Sequence, residues 1–211
     1  MTTFPIHTID TAPEGSKETL VRVKEALGMV PNLAAGMAES PTLLRAFFAA
    51  REIYSQGTLS PIDIQVLSLT NAFENGCEWC MAFHSAGALR DGLPKEALED
   101  LRDGHAPRDP RLRALSDLSR AMVRNRGKVS ERDLQAFYAA GFSRAQALEV
   151  VLGAGFSVMA NFSGHLVHAP LGAALEPHAW TEPVTRVGDR IRATASPSAP
   201  AATVISSDGG A

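Results

Sequence analysis

Cysteine is scarce in this chain: 211 residues contain two, Cys77 and Cys80, with two positions between them. That scarcity excludes a structural disulfide framework, and in a reducing compartment such a pair points to redox chemistry or metal binding. Concentrated positive charge is missing as well. Lys and Arg number 20 against 23 Asp and Glu, a net charge of −3, and the cations are scattered. A nucleic-acid partner therefore has no electrostatic footprint, and neither does an anionic membrane surface. The longest apolar stretch, Val150 to Ala160, is too short to span a bilayer, so no membrane partner is expected. The start, Met1-Thr2-Thr3-Phe4-Pro5, has neither the basic cluster nor the apolar run of a signal peptide, which makes a cytoplasmic location the expectation.

Strand-like alternation is also lacking, and what is present reads as one helix after another. Helices are expected over 17–27, 31–37, 41–56, 61–74, 77–91, 94–102, 111–125, 130–139 and 143–167. Ser40-Pro41 and Ser60-Pro61 share one grammar, an N-cap serine followed by proline at the first helical position. Asp63 is placed for a capping box with Ser60, and Asn75-Gly76 is a good left-handed terminator for the helix before it. The fold class is all-α, one multi-helix domain over residues 1–193. From 194 to 211 the chain becomes Ala, Ser, Pro, Thr and Gly, and a disordered tail is expected there.

The chemistry-bearing segment is Glu74-Asn-Gly-Cys77-Glu-Trp-Cys80-Met-Ala-Phe-His84. On a helix, positions 77, 80 and 84 fall within an arc of about 60°. Residues three apart on one helical face lie within the Cα range of a disulfide. Unpaired N–H groups in a first helical turn stabilise a thiolate and lower its pKa from about 8.5. His84, one turn beyond Cys80, is a proton acceptor and donor of suitable pKa. A low-pKa thiol, a second thiol and a base suffice to reduce a peroxide through a sulfenic acid and a disulfide. Two other readings stay open at this point: a zinc site, which lacks an evident fourth ligand, and a packed, reduced pair beside a satisfied histidine.

One helix earlier, Ile62, Val66, Leu69 and Phe73 form an apolar stripe with Gln65 beside it. A buried glutamine there needs a partner. It is either a core-edge side chain bonded to backbone or a polar group aimed at the cysteines. His165 and His168 share a helix face and suit packing or interface roles better than a metal. Arg108, Arg111 and Arg113 read as a solvated helix start.

At these residues the sequence resembles the alkylhydroperoxidase D-like family within the carboxymuconolactone decarboxylase superfamily, whose pattern is E-x11-C-x-x-C-x3-H. Cys77, Cys80 and His84 fit its spacing. The likeness extends to Val30-Pro31-Asn32-Leu33, Ser40-Pro41, Leu59-Ser60-Pro61, Ala160-Asn161-Phe162, Ala169-Pro170-Leu171 and Trp180, a set typical of the peroxidase-related branch. The resemblance implies a thiol-dependent peroxidase on an all-helical fold that assembles as a trimer or hexamer. In it Cys80 would be the peroxidatic thiol, Cys77 its disulfide partner and His84 part of a proton relay. It implies a hydroperoxide substrate and a thiol reductant of the lipoyl kind, with no bound cofactor and no metal. The family's glutamate falls on Gln65, which hydrogen-bonds but cannot exchange a carboxyl proton, and a histidine found in some members is Trp79. Glu74 is the nearest acid to compensate, against a plainer reading as a solvated helix-end carboxylate. The rival functions are a carboxymuconolactone decarboxylase-like enzyme, which needs no thiol pair, and a non-enzymatic oligomeric redox sensor.

Overall fold

A computed structural model of the chain describes residues 4–183, and the residues as far as Thr181 form one compact unit. The expected domain limit at 193 and the expected tail at 194–211 lie outside the described residues. Among the described residues there are nine α-helices and no strand: α1 (Glu14–Leu27), α2 (Asn32–Met37), α3 (Pro41–Ser55), α4 (Pro61–Asn75), α5 (Glu78–Arg90), α6 (Lys95–Arg102), α7 (Pro110–Arg124), α8 (Glu131–Ala139) and α9 (Arg144–Val167). A 3-10 turn, Glu176–His178, follows.

The helix starts form where the sequence supplies side-chain acceptors for otherwise unpaired N–H groups. Ser40 accepts from the Leu43 N–H. Ser60 and Asp63 close a reciprocal capping box, and Ser130 with Asp133 and Ser143 with Gln146 do the same for α8 and α9. Gly28 and Gly76 end α1 and α4 in the left-handed conformation, as expected of terminators. One start was misplaced by sequence reasoning. Helix α1 begins at Glu14, three residues early, because Pro13 opens it without any capping side chain.

Helix α4 is the hub, packing against α5, α7 and α9. Nearly every residue from Asp63 to Glu74 is buried, polar ones included, so its hydrogen bonds must be met inside the protein. Asn71 is satisfied twice: Ser119 of α7 donates to its oxygen at 2.7 Å, and its amide donates to Ser157 of α9 at 3.1 Å. Thr70 Oγ1 donates to the Val66 carbonyl and lies 2.9 Å from Ser116 Oγ. These contacts fix the rotation of α4 relative to α7 and α9, and so the direction in which Gln65 and Asn75 point.

Arg111 stands in the exposed first turn of α7, as expected, but it is also paired. Its guanidinium bonds both oxygens of buried Asp63, at 2.6 and 2.9 Å, and lies over the Phe142 ring, 4.1 Å from its centroid. Burial alone would raise the Asp63 pKa, but the Arg111 and Ser60 hydrogen bonds outweigh it and hold the carboxyl below its ordinary value. Helix α9 also departs from expectation. Small residues extend its apolar run so that, by length and composition, its 24 residues would reach across a bilayer. In this fold one side of it packs on α2, α3, α4, α5 and α7 instead.

Candidate active site

The turn Asn75-Gly76-Cys77 links the hub helix to α5 and delivers the first cysteine. Cys77 is the N-cap of α5 rather than a residue within it: its backbone is extended and its sulfur accepts from the Cys80 N–H at 3.4 Å. Cys80 lies in the first turn. Both thiols are free and both are buried. Their spacing along one helix face, expected from sequence, is therefore achieved with the first sulfur curled over the open helix end, where N–H groups point at it.

The two sulfurs do not share charge equally. Cys80 donates a hydrogen bond to Cys77, and this together with N–H groups and the side chain of Asn161 lowers the Cys77 pKa despite burial. The same hydrogen bond, burial and repulsion from Cys77 push Cys80 well above the ordinary thiol range. Of the two thiols Cys77 is the more readily ionised, with Cys80 placed as its hydrogen-bond donor.

Asn161, on α9, was quoted in the sequence only as part of a family-like pattern. Its oxygen accepts from the side-chain amide of Asn75 at 2.7 Å, which leaves its own N–H groups for the sulfurs. The close approach of α9 depends on Gly164, where a Cβ would stand 2.9 Å from the Cys77 sulfur. His165 is bonded to the Asn75 carbonyl at 2.8 Å, and His168 caps the end of α9 in the left-handed conformation. His165 thus ties α9 to the end of α4, and His168 ends α9.

Gln65 is buried between α4 and α5 and does face the cysteine helix. Its Nε2 lies 2.7 Å from Asp91 Oδ2 and its Oε1 lies 2.9 Å from His84 Nδ1. A carboxylate only accepts, so Asp91 fixes the amide's orientation. The amide oxygen then receives the Nδ1–H of His84, and Nε2 of the ring keeps its lone pair. Gly87 makes room for this arrangement, since a Cβ there would come within 2.9 Å of the Gln65 amide nitrogen. An acid does stand behind this histidine, Asp91, one residue past α5, which meets the Gln65 amide and not the ring. Glu74 is neither that acid nor solvated: it is buried and takes hydrogen bonds from Arg120 Nε at 3.0 Å and Arg124 Nε at 2.7 Å.

Trp79 is a structural pin. Its indole N–H donates to the Pro170 carbonyl at 3.3 Å, the same oxygen that Asn32 reaches at 2.9 Å, and its ring stacks on Phe83 at 5.2 Å. Trp180 donates to the Arg102 carbonyl at 2.8 Å and leans on Phe73. The scattered likenesses at Asn32, Pro170 and Trp180 therefore form the strap that folds the segment after α9 back over α5 and α6. Among the described residues no group of three potential metal-ligating side chains is found.

Comparison with known proteins finds likenesses to this helical fold and to the segment that carries the cysteines. Residues 41–118, from the start of α3 into α7, match the Carboxymuconolactone decarboxylase family. Over that segment the chain is similar to that family, and the solved structures that follow share its fold. No curated protein matches it. A peroxidase-related protein from Ralstonia eutropha JMP134, described as an alkylhydroperoxidase AhpD core, has the same fold, with TM-score 0.73 at 20% identity over 82% of this chain and 93% of that one. A peroxidase-related protein from Silicibacter sp. TM1040 gives TM-score 0.68 at 22% identity over 82% and 92%. The debrominase Bmp8, a cysteine-to-alanine variant bound to 2,3,4-tribromopyrrole, gives 0.69 at 14% identity over 84% and 95%.

Burial lowers the His84 pKa to about 4, helped by the Arg51 charge and opposed by Asp91, so the ring is neutral near pH 7. In the unfolded chain it titrates at about 6.5. Between the two values the unfolded chain binds a proton that the folded one refuses, so stability is full above about 6.5 and falls as pH drops toward 4. Replacing His84 with Asn, which keeps a donor for Gln65, should flatten this part of the profile in urea denaturation. Parallel profiles for the two proteins would show that His84 is not held neutral.

Proposed function

We propose that the chain is a thiol-dependent peroxidase that reduces hydroperoxides with the Cys77–Cys80 pair. The observation that carries this reading is the unequal thiol pair, with the Cys77 sulfur at a helix start accepting the Cys80 N–H and the more readily ionised of the two, and Cys80 beside it as a hydrogen-bond donor. Decarboxylation makes no use of such a pair, which favours the peroxidase side of the superfamily.

In the reaction, the Cys77 thiolate attacks the terminal peroxide oxygen and the O–O bond breaks. Cys77 becomes a sulfenic acid, and the leaving alkoxide takes up a proton to become an alcohol. The Cys80 sulfur then attacks the sulfenic sulfur, water leaves, and a disulfide closes. A dithiol reductant restores both thiols and is itself oxidised to a disulfide. His84, neutral and one turn from Cys80, is the base of this face, held in one tautomer by Gln65 and Asp91. Placing the first attack on Cys77 reverses the roles that the family resemblance implies, and the electrostatics favour the reversal.

The test is reaction with one equivalent of a small alkyl hydroperoxide in the presence of a sulfenic-acid trap. Wild type should form the disulfide, and Cys80→Ser should accumulate a trapped sulfenic acid on Cys77. Cys77→Ser should react more slowly, because burial still disfavours the Cys80 thiolate once Cys77 is gone. Equal rates for the two single variants would contradict the assignment. Sustained turnover with dihydrolipoamide would separate an enzyme from a redox sensor, which stops after one event.

The chain is also proposed to form a homo-oligomer through α9. Leu148, Val151, Leu152, Phe162 and Leu166 are exposed along that helix, Gly155 is open, and Ile53 of α3 is exposed as well. An apolar stripe of this length marks an interaction surface. Sedimentation velocity should give a multiple of the single-chain mass at micromolar concentration, shifting downward for Leu166→Glu. A single-chain mass for wild type would overturn it.

A further inference from the structure

Beside the cysteine helix lies a cavity with no part in the chemistry described above. It has a volume of about 660 Å³, opens between α1 and α3, and carries Arg22, Arg45 and Arg51 against the single acid Glu52. Its size is that of a small-molecule site. Much of the wall is apolar, from Val23, Ala26 and Leu27 on α1 to Ala46, Phe48 and Ala49 on α3.

Leu27, Phe48 and Arg51 also line a second, smaller cavity of about 50 Å³, whose far wall is Trp79 and Phe83 of α5. Those two rings stack on each other, and Phe83 meets His84 edge to face at 5.4 Å between centroids. Cys80 and His84 each follow one of these aromatic residues along α5. The large cavity therefore leads, through Arg51 and Phe48, to the Trp79 and Phe83 rings of α5.

Arg51 stands at the junction of the two cavities. Partial withdrawal of its guanidinium from water, and repulsion from Arg90, both disfavour its charge, and no acid offsets them. Its field reaches His84, which it helps to keep neutral. A guanidinium so placed lacks the carboxylate that its planar fork matches best.

We propose that this cavity binds an amphipathic monocarboxylate, with its alkyl chain along the α1–α3 wall and its carboxylate paired with Arg51. The binding itself is independent of the peroxidase reading. Resting on that reading, it makes hydroperoxides of medium-chain fatty acids the substrate class, held by their acid group next to α5. Charge complementarity selects the head group, since three cations face one anion, and the apolar wall selects the tail.

Titration calorimetry with decanoate tests it on the full chain. Wild type should bind decanoate, and Arg51→Leu should weaken binding tenfold or more. Decanol, which has the tail without the charge, should bind wild type at least tenfold more weakly than decanoate and be indifferent to Arg51→Leu. Ala49→Trp, which fills the cavity from an exposed position, should abolish binding of both. Arg108→Leu, outside the cavity, should leave affinity unchanged. No decanoate binding, or equal loss in Arg51→Leu and Arg108→Leu, would overturn the site. Decanoate binding as described in a protein that reduces no hydroperoxide would leave the site standing and remove the peroxidase reading. Hydroperoxide turnover without decanoate binding would do the reverse.

Discussion

Two sulfur atoms packed inside a helical core can hold a negative charge only where polar groups share it, because an unshared charge in that environment is heavily penalised. Here the sharing is done by the open N-terminus of α5 and by the amide of Asn161. The amide can donate because its oxygen is already engaged by Asn75, and Asn75 is placed by the last turn of α4. The chain of cause runs back from there to the buried Asn71 and Thr70 contacts that orient the hub helix, and outward to Gly164, whose missing side chain lets α9 close on Cys77. Hub helix, turn and α9 thus converge on one electrostatic outcome.

A second polar line, separate from the first, governs the histidine. A glutamate at position 65 would place two carboxylates within hydrogen-bond distance, one on Asp91, and one of them would have to hold a proton. Glutamine avoids that conflict: it presents N–H to the acid and oxygen to the ring. The departure from the family pattern at Gln65 and the acid at Asp91 are therefore two halves of one arrangement. It fixes the tautomer of His84 while keeping formal charge one side chain away from it.

Much of this was legible in the sequence. Serine–proline starts, capping boxes and glycine stops are local, so the helices could be read from neighbouring residues alone, and Cys77, Cys80 and His84 are close enough along the chain for their spacing to speak. The partners were not legible because they come from afar. Asn161 lies 81 residues beyond Cys80, and nothing local marks one asparagine on an apolar helix as the donor to a thiol. Asp91 looks like an ordinary helix-end acid until Gln65 folds against it. Glu74 looks solvated until α7 brings Arg120 and Arg124 across it. In each instance a side chain's meaning is set by a contact between helices, and local pattern carries no record of that contact.

Cys77 is proposed as the more acidic of the two thiols, with the Asn161 amide as one of the groups that make it so. Ultraviolet titration of thiolate absorbance, on wild type and Asn161→Leu, measures this directly. The expected result is a single thiolate in wild type that appears below the ordinary cysteine midpoint of about 8.5 and moves upward in the variant, while the other thiol titrates only at high pH. A wild-type midpoint at or above the ordinary value, or one unmoved by Asn161→Leu, would contradict the account.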